Sequence, residues 1–276
     1  KDGKEINNIA VKNKNNGEVV GSYLTDPGAV TFVLKAQAKK YDMVKPSEED
    51  KVAVANPEAV TDEEFAKIKA KLEYSRTNED KNLESKRGEE VDNTDNKIAT
   101  ITKEGNNIVA TYKDGSKDVR PLSDFTKLDK QPAIDAVNTA ATEKIAAINA
   151  TPNATDEEKA AAIAKVNADK AAALTAINDA TAKDALDQAK NNGTTAIAAD
   201  NPVVAKKDAA KKAIEAARLA KENAIKADTN LSEDEKKAAI AKANEAATAA
   251  TAKVDVATTN TAVDGAQTEA TTAIGK

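Results

Sequence analysis

The chain has no cysteine, no histidine and no tryptophan. Their absence excludes disulfides, thiol nucleophiles, histidine-based triads, imidazole or thiolate zinc sites and haem ligation. Aromatic residues fill only 3% of the 276 positions, and alanine supplies most of the 40% counted as hydrophobic, so any core is thin or helical. No run of about 18 apolar residues offers a bilayer span, and no apolar signal segment opens the chain. The formal charge is −5, with 32% charged residues of both signs well mixed. Such a surface gives no basic field for a phosphate backbone or an anionic membrane. Neither nucleic acid nor membrane is an expected partner.

What is present changes abruptly along the chain. All the aromatic residues (Tyr23, Phe32, Tyr41, Phe65, Tyr74, Tyr112 and Phe125) precede residue 126. This first part carries strand chemistry at Val19-Val20, Tyr23-Leu24 and Val30 to Leu34, with Asp26-Pro27-Gly28 as a turn. Ile98 to Lys103, Ile108 to Lys113 and Ser116 to Leu122 read as a three-stranded meander, its turns at Gly105 and at Asp114-Gly115, the latter of type I′. Thr61 to Glu64 is a capping box, and Phe65, Ile68 and Leu72 follow at helical spacing, which predicts a helix of about 14 residues packed on the sheet. The polar stretch Thr77 to Asn96 reads as a long exposed loop. Residues 1–126 are therefore expected to form a mixed α+β domain, mainly antiparallel β with one helix, and composition permits a division near 45–50.

From Lys127 the composition is helix-forming, and it repeats. Aligning Thr155 to Lys159 with Ser232 to Lys236 gives a period of 232 − 155 = 77 residues. The informative identities are Ile163 with Ile240, Asn167 with Asn244, Thr181 with Thr258, Asp187 with Asp264 and Ile197 with Ile274. Each repeat divides into three helices. The first helix carries Ile134, Val137, Ala141, Ile145 and Ile148, and Thr151-Pro152-Asn153 ends it. Capping boxes at Thr155/Glu158 and Ser232/Glu235 open the second, which bears Ile163, Val166, Leu174 and Ile177, or Ile240 and Val254. The third has Leu186, Ala189, Gly193 and Ile197, mirrored by Val263, Ala266, Ala270 and Ile274. Asn201-Pro202 reads as the start of the next helix, with proline in its first turn. Two tandem all-α three-helix bundles are predicted, at 127–200 and 201–276, in an elongated multidomain chain. Joints of only about three or four residues predict a monomeric rod well over about 100 Å long, with the mixed domain at its tip.

The phrase Asn201-Pro202-Val203-Val204, with Ala213-Ile214, Ala224-Ile225, Leu231 to Lys236, Ala257 to Asn260 and Val263-Asp264, resembles the alanine-rich DUF1542-type repeats. These repeats belong to giant wall-anchored surface proteins of staphylococci and streptococci. Val52 to Glu64, closing with Ala110 to Asp118, is similar to the Rib-like and streptococcal surface-repeat modules, although Lys113 stands where proline is usual. The resemblance implies a non-enzymatic, extracellular segment on the bacterial cell surface, anchored to the wall through a part of the protein outside these residues. Zero cysteine agrees with secretion from a Gram-positive cell. Two functions follow. In one, residues 1–126 bind a host extracellular-matrix or plasma glycoprotein such as fibronectin while the repeats serve as a stalk. In the other, the segment is a spacer with no ligand.

Residue chemistry adds little to either. No pair of carboxylates stands out as a catalytic couple, and no Ser-x-x-Lys occupies a strand-to-helix turn; no catalytic, cofactor or metal residue is assigned. Lys206, Lys207, Lys211 and Lys212 share neighbouring turns and form a candidate contact for an acidic glycan or protein, set against a simply solvated face. Recognition is otherwise expected at Glu79 to Glu90 or among the aromatics, with Phe65 and Tyr112 as core. Asp92 to Asn96 is dense in oxygen ligands but lacks calcium-loop spacing. Chelation of divalent cations should therefore leave the melting curve unchanged. A fall of more than a few degrees would instead assign calcium to Asp92 to Asn96.

Overall fold

The computed structural model of the chain describes residues 8–12, 19–24, 36–76 and 98–276. They divide into a unit ending at Asp129 and a second running from Lys130 to Lys276. The expected turn at Asp26-Pro27-Gly28, the run Val30 to Leu34 and the stretch Thr77 to Asn96 lie outside the described residues.

In the first unit, β1 (Asn8–Lys12) pairs antiparallel with β2 (Val19–Leu24), and β3 (Tyr41–Met43) with β5 (Tyr74–Arg76). The predicted meander is present as β6 (Ile98–Glu104), β7 (Asn107–Tyr112) and β8 (Lys117–Pro121). The turn at Gly105 is present as read, and the second departs from expectation. Gly105 and Gly115 have φ of 59° and 84°, whereas Asn106 and Asp114 stay out of the left-handed region. The second turn is therefore not type I′: Gly115 N–H donates to Tyr112 O and Tyr112 N–H to Ser116 O, a type I turn closed by a left-handed glycine. Asp114 has no need of a strained φ because its carboxylate accepts from Ser116 N–H and Oγ–H and from Gln37 N–H. Partial desolvation opposes its ionisation, but those hydrogen bonds prevail and hold its pKa down at about 2.

The helix α1 (Asp62–Ala70) has the capping box that Thr61 and Glu64 predict, yet it spans 9 residues instead of about 14. It stops at Lys71 because the following chain is recruited into β5, where Tyr74 is 2% exposed. Leu72 still reaches the core, from beyond the helix end. A parallel pair unseen in the sequence, β4 (Val52–Val54) with β9 (Thr126–Leu128), closes the unit. Met43, Val54, Val60, Ile68, Tyr74, Ile108 and Phe125 share one core, so residues on both sides of 45–50 belong to it. Phe65 packs on its edge, half-buried.

The second unit holds six helices: α2 (Gln131–Asn149), α3 (Asp156–Asp179), α4 (Lys183–Ala199), α5 (Lys206–Ala227), α6 (Glu233–Val256) and α7 (Asn260–Gly275). They form two three-helix bundles, α2 to α4 and α5 to α7. The third-helix stripes are buried as read: Leu186, Ala189, Gly193 and Ile197 in α4, and Val263, Ala266, Ala270 and Ile274 in α7. In α2 and α3 Val137, Ala141, Ile148, Val166 and Ile177 are buried as read, but at three other positions the alanine one residue earlier takes the core place expected of a larger side chain. Ala133, Ala162 and Ala173 are buried, whereas Ile134, Ile163 and Leu174 are half-buried. Each helix faces two neighbours, so alanine lines the tightest part of the seam and the larger residue seals its flank.

Equivalent ties recur in both bundles at the 77-residue spacing. Lys130 Nζ donates to Asn178 O at the end of α3, and Lys207 Nζ to Asp255 O at the end of α6. Lys144 Nζ donates to Ala198 O at the end of α4, and Lys221 Nζ to Gly275 O at the end of α7. A lysine bonded to the last carbonyls of a neighbouring helix satisfies acceptors that the helix leaves open and favours the negative end of its dipole.

One position separates the bundles. A Cβ built on Gly193 would lie 2.3 Å from Ala173 Cβ, whereas alanines fill both corresponding positions, 250 and 270, in the second bundle. Alanine would gain about 1 kcal/mol of helix propensity over glycine, but overpacking costs about 1–3 kcal/mol. Gly193→Ala should therefore lower the stability of the first bundle, by up to about 2 kcal/mol in urea denaturation. Adding Ala173→Gly should recover part of that loss, and a stabilised single variant would show that α3 and α4 are free to move apart.

Candidate site: the joint between the helical bundles

The segment from Asp200 to Ala205 connects the bundles and is not helical. Pro202 therefore does not open a helix, contrary to its reading above, and α5 begins at Lys206 behind an N-cap, Ala205, that has no side-chain acceptor. The first N–H groups of a helix need partners. Here they come from the preceding bundle: Glu158 Oε1 accepts from Ala205 N–H and from Lys206 N–H, each at 2.9 Å. The other oxygen of the same carboxylate closes the capping box of α3 by accepting from Thr155 N–H at 2.9 Å. One side chain thus caps two helices.

The α6–α7 corner meets the same end of α3. Asp156 N–H donates to Thr258 O at 2.7 Å, Asn260 N–H donates to Glu157 Oε2 at 2.8 Å, and Thr155 Oγ–H donates to Asn260 Oδ1 at 2.7 Å. Three helix N-termini, those of α3, α5 and α7, are therefore satisfied by one acidic turn. Their dipoles favour its negative charge. Partial desolvation works against the Glu158 carboxylate, yet the bonds from Ala205, Thr155 and Lys206 outweigh it and lower its pKa. On the connecting segment Asp200, 2% exposed, pairs with Lys165, and Asn201 Oδ1 accepts from Lys144 Nζ.

The lysine cluster read as a candidate contact for acidic ligands is largely spent inside the bundle. Lys207 is 7% exposed and bonded to Asp255 O, Lys206 pairs with Asp264 at 2.6 Å, and Lys211 pairs with Asp255. Glu79 to Glu90 and Asp92 to Asn96 lie outside the described residues. Among the described residues no group of three or more acidic side chains is placed to hold a metal ion, and no helix is long and apolar enough to cross a membrane. In the first unit burial pushes the Asp118 carboxyl upward, against hydrogen bonding from Met43 N–H. Asp118 does not line that unit's cleft, about 510 Å³ between Val44, Lys45, Ser47, Ile68 and Phe125. Buried acid and cleft are thus not brought together into a reaction site.

A family model described as a domain of unknown function, DUF1542, matches residues 129–205 and again residues 206–276. The two matches meet where α5 begins, at the joint. Neither a curated protein nor a solved structure matches the chain.

Glu158 and Glu235 make the same capping box, but only Glu158 also serves a second helix. Glu158→Ala should cost about 1–2 kcal/mol in denaturant unfolding, and Glu235→Ala less. Equal losses would show that the bonds across the joint contribute nothing. A carboxylate whose folded pKa is lowered contributes stability above its unfolded value, near about 4.3, and loses it as pH falls through the folded value. The difference between wild type and Glu158→Ala should thus be full at pH 7 and shrink below about pH 4.

Proposed function

The chain belongs to the DUF1542 family through residues 129–205 and 206–276, and on that footing we propose that it is a non-catalytic spacer segment of a Gram-positive surface protein. DUF1542 is a domain of Gram-positive surface proteins. The observation that carries the spacer reading is the joint, where two bundles are held by five direct hydrogen bonds from the turn 155–158 instead of a free tether. A spacer has to transmit length, and a joint whose helix ends are capped from the next module keeps the repeats in register. Wall anchoring and secretion belong to this proposal, as do the Rib-like likeness of Val52 to Asp118 and a monomeric state.

A second reading keeps the spacer and adds adhesion: the first unit binds a host extracellular-matrix or plasma glycoprotein. It is favoured by the cleft beside Phe125, in the part of the chain that holds every aromatic residue, because aromatic side chains dominate interface hot spots.

The absence of cysteine makes the joint easy to probe. Spin labels at Ala172→Cys in α3 and Ala249→Cys in α6, both exposed, should give one narrow distance distribution. A six-residue flexible tether would spread it over on the order of 10 Å, and that outcome would end the spacer reading. Immobilised matrix and plasma glycoproteins should show no saturable binding of the chain. Saturable binding abolished by substitutions around Phe125 would instead establish the adhesin reading.

A further inference from the structure

In the first unit two sheets meet at a seam. Strand β3 pairs with β5 and strand β8 with β7, and among the described residues β3 and β8 lie beside each other with no ladder between them. Side chains cross instead: Asp118 Oδ2 accepts from Met43 N–H at 2.9 Å, and Arg120 Nη2 donates to Asp42 Oδ1 at 2.9 Å. Asp118 itself is buried. Tyr74 is the cross-strand partner of Met43, and Tyr112 lies two residues along β7 from Ala110, the partner of Asp118. Tyr112 also stacks on Tyr41 of β3, with ring centroids 6.3 Å apart. Burial and the Asp118 charge push both the Tyr74 and the Tyr112 phenols above their ordinary range, so one carboxylate faces both. Each tyrosine is 2% exposed, yet neither hydroxyl has a hydrogen-bond partner among the described residues. Arg120 Nε is likewise buried without one, 3.6 Å from Asp118 Oδ1 and thus beyond hydrogen-bond length. Buried polar atoms are costly to leave unpaired, and here three of them surround one carboxylate.

We propose that the seam is a binding site for a buried water molecule, held by Tyr74 Oη, Tyr112 Oη, Arg120 Nε and Asp118 Oδ1. The chemistry of these atoms selects the occupant. A cation would be set against the Arg120 guanidinium and leave its N–H unpaired, and an anion would be repelled by Asp118. The occupant must be neutral and must both donate and accept. Water accepts from Arg120 Nε–H and from one phenol, and it donates to Asp118 Oδ1 and to the oxygen of the other phenol. Four bonds lie within the range that buried waters make. The water links β5 of one sheet to β7 and β8 of the other. This site does not depend on the spacer reading.

The chain has no tryptophan, and its tyrosines all precede residue 126, so tyrosine emission in urea follows the first unit alone. In the full chain, Tyr74→Phe and Tyr112→Phe should each lower the urea midpoint and raise the unfolding constant about three- to tenfold. The double variant should lose less than the two single losses combined, because both hydroxyls hold the same water. Magnetic relaxation dispersion of water oxygen should count one fewer long-lived water in the folded double variant than in the unmodified chain. Removing a hydroxyl that has no partner would leave the midpoint unchanged or raise it, and that result overturns the site. Losses that add, or that exceed their sum, overturn it too, since they give the phenols separate partners. So does an unchanged water count, which would mean that the phenols bond directly to Asp118.

Discussion

The constraint on which the helical unit depends is the demand of helix N-termini for acceptors. An alanine-rich module has few polar side chains to supply them, and α5 starts behind Ala205, which has none to give. An uncapped first turn in water is tolerable, but one pressed against a neighbouring bundle is not, because its N–H groups would be desolvated without partners. Glu158 resolves this by lending its second oxygen across the joint while it completes its own capping box. The need of one helix thereby fixes the place of the next bundle. Glu157 and Asp156 extend the arrangement to the α6–α7 corner.

The same economy governs the interiors. Seams lined by alanine bury little area per residue, at about 0.8 kcal/mol for each methyl(ene) group, so polar ties at the helix ends carry a larger share than in an aromatic core. Lysines reach from the first helix of each bundle to the last carbonyls of the other two, and the spacing of these ties reproduces the sequence period. The candidate basic patch on α5 is part of this system: Lys207 works as a helix cap and Lys206 and Lys211 as intrabundle pairs. A charge run that suggests an outside partner is here turned inward.

The repeat was plain in the sequence because capping boxes and third-helix stripes are local patterns, and Thr155/Glu158, Ser232/Glu235 and Leu186 to Ile197 lie where periodicity puts them. The seam of α2 and α3 was legible only in part: Val137, Ile148, Val166 and Ile177 lie where periodicity puts them, but residue size favoured Ile134, Ile163 and Leu174 over Ala133, Ala162 and Ala173. Asn201-Pro202 carried the local signature of a helix start, but Asn201 is engaged by Lys144, and the cap for α5 lies 47 residues earlier in the chain. No local signal reports such a distant acceptor; the signal within reach was the recurrence of Lys144 and Lys221 at matching helix ends. In the first unit the β4–β9 pair escaped notice for the same reason, as a parallel pairing of distant three-residue strands has no turn to announce it.

The central claim is that the first amides of α5 are held by a carboxylate from the other bundle. Amide hydrogen exchange at Ala205 and Lys206, measured residue by residue in the intact chain at neutral pH, addresses it directly. Both amides should be protected well beyond the rate of an open chain, and both should lose that protection in Glu158→Ala while the interior amides of α5 keep theirs. Exchange at the open-chain rate in the unmodified protein, or protection indifferent to Glu158, would contradict the account.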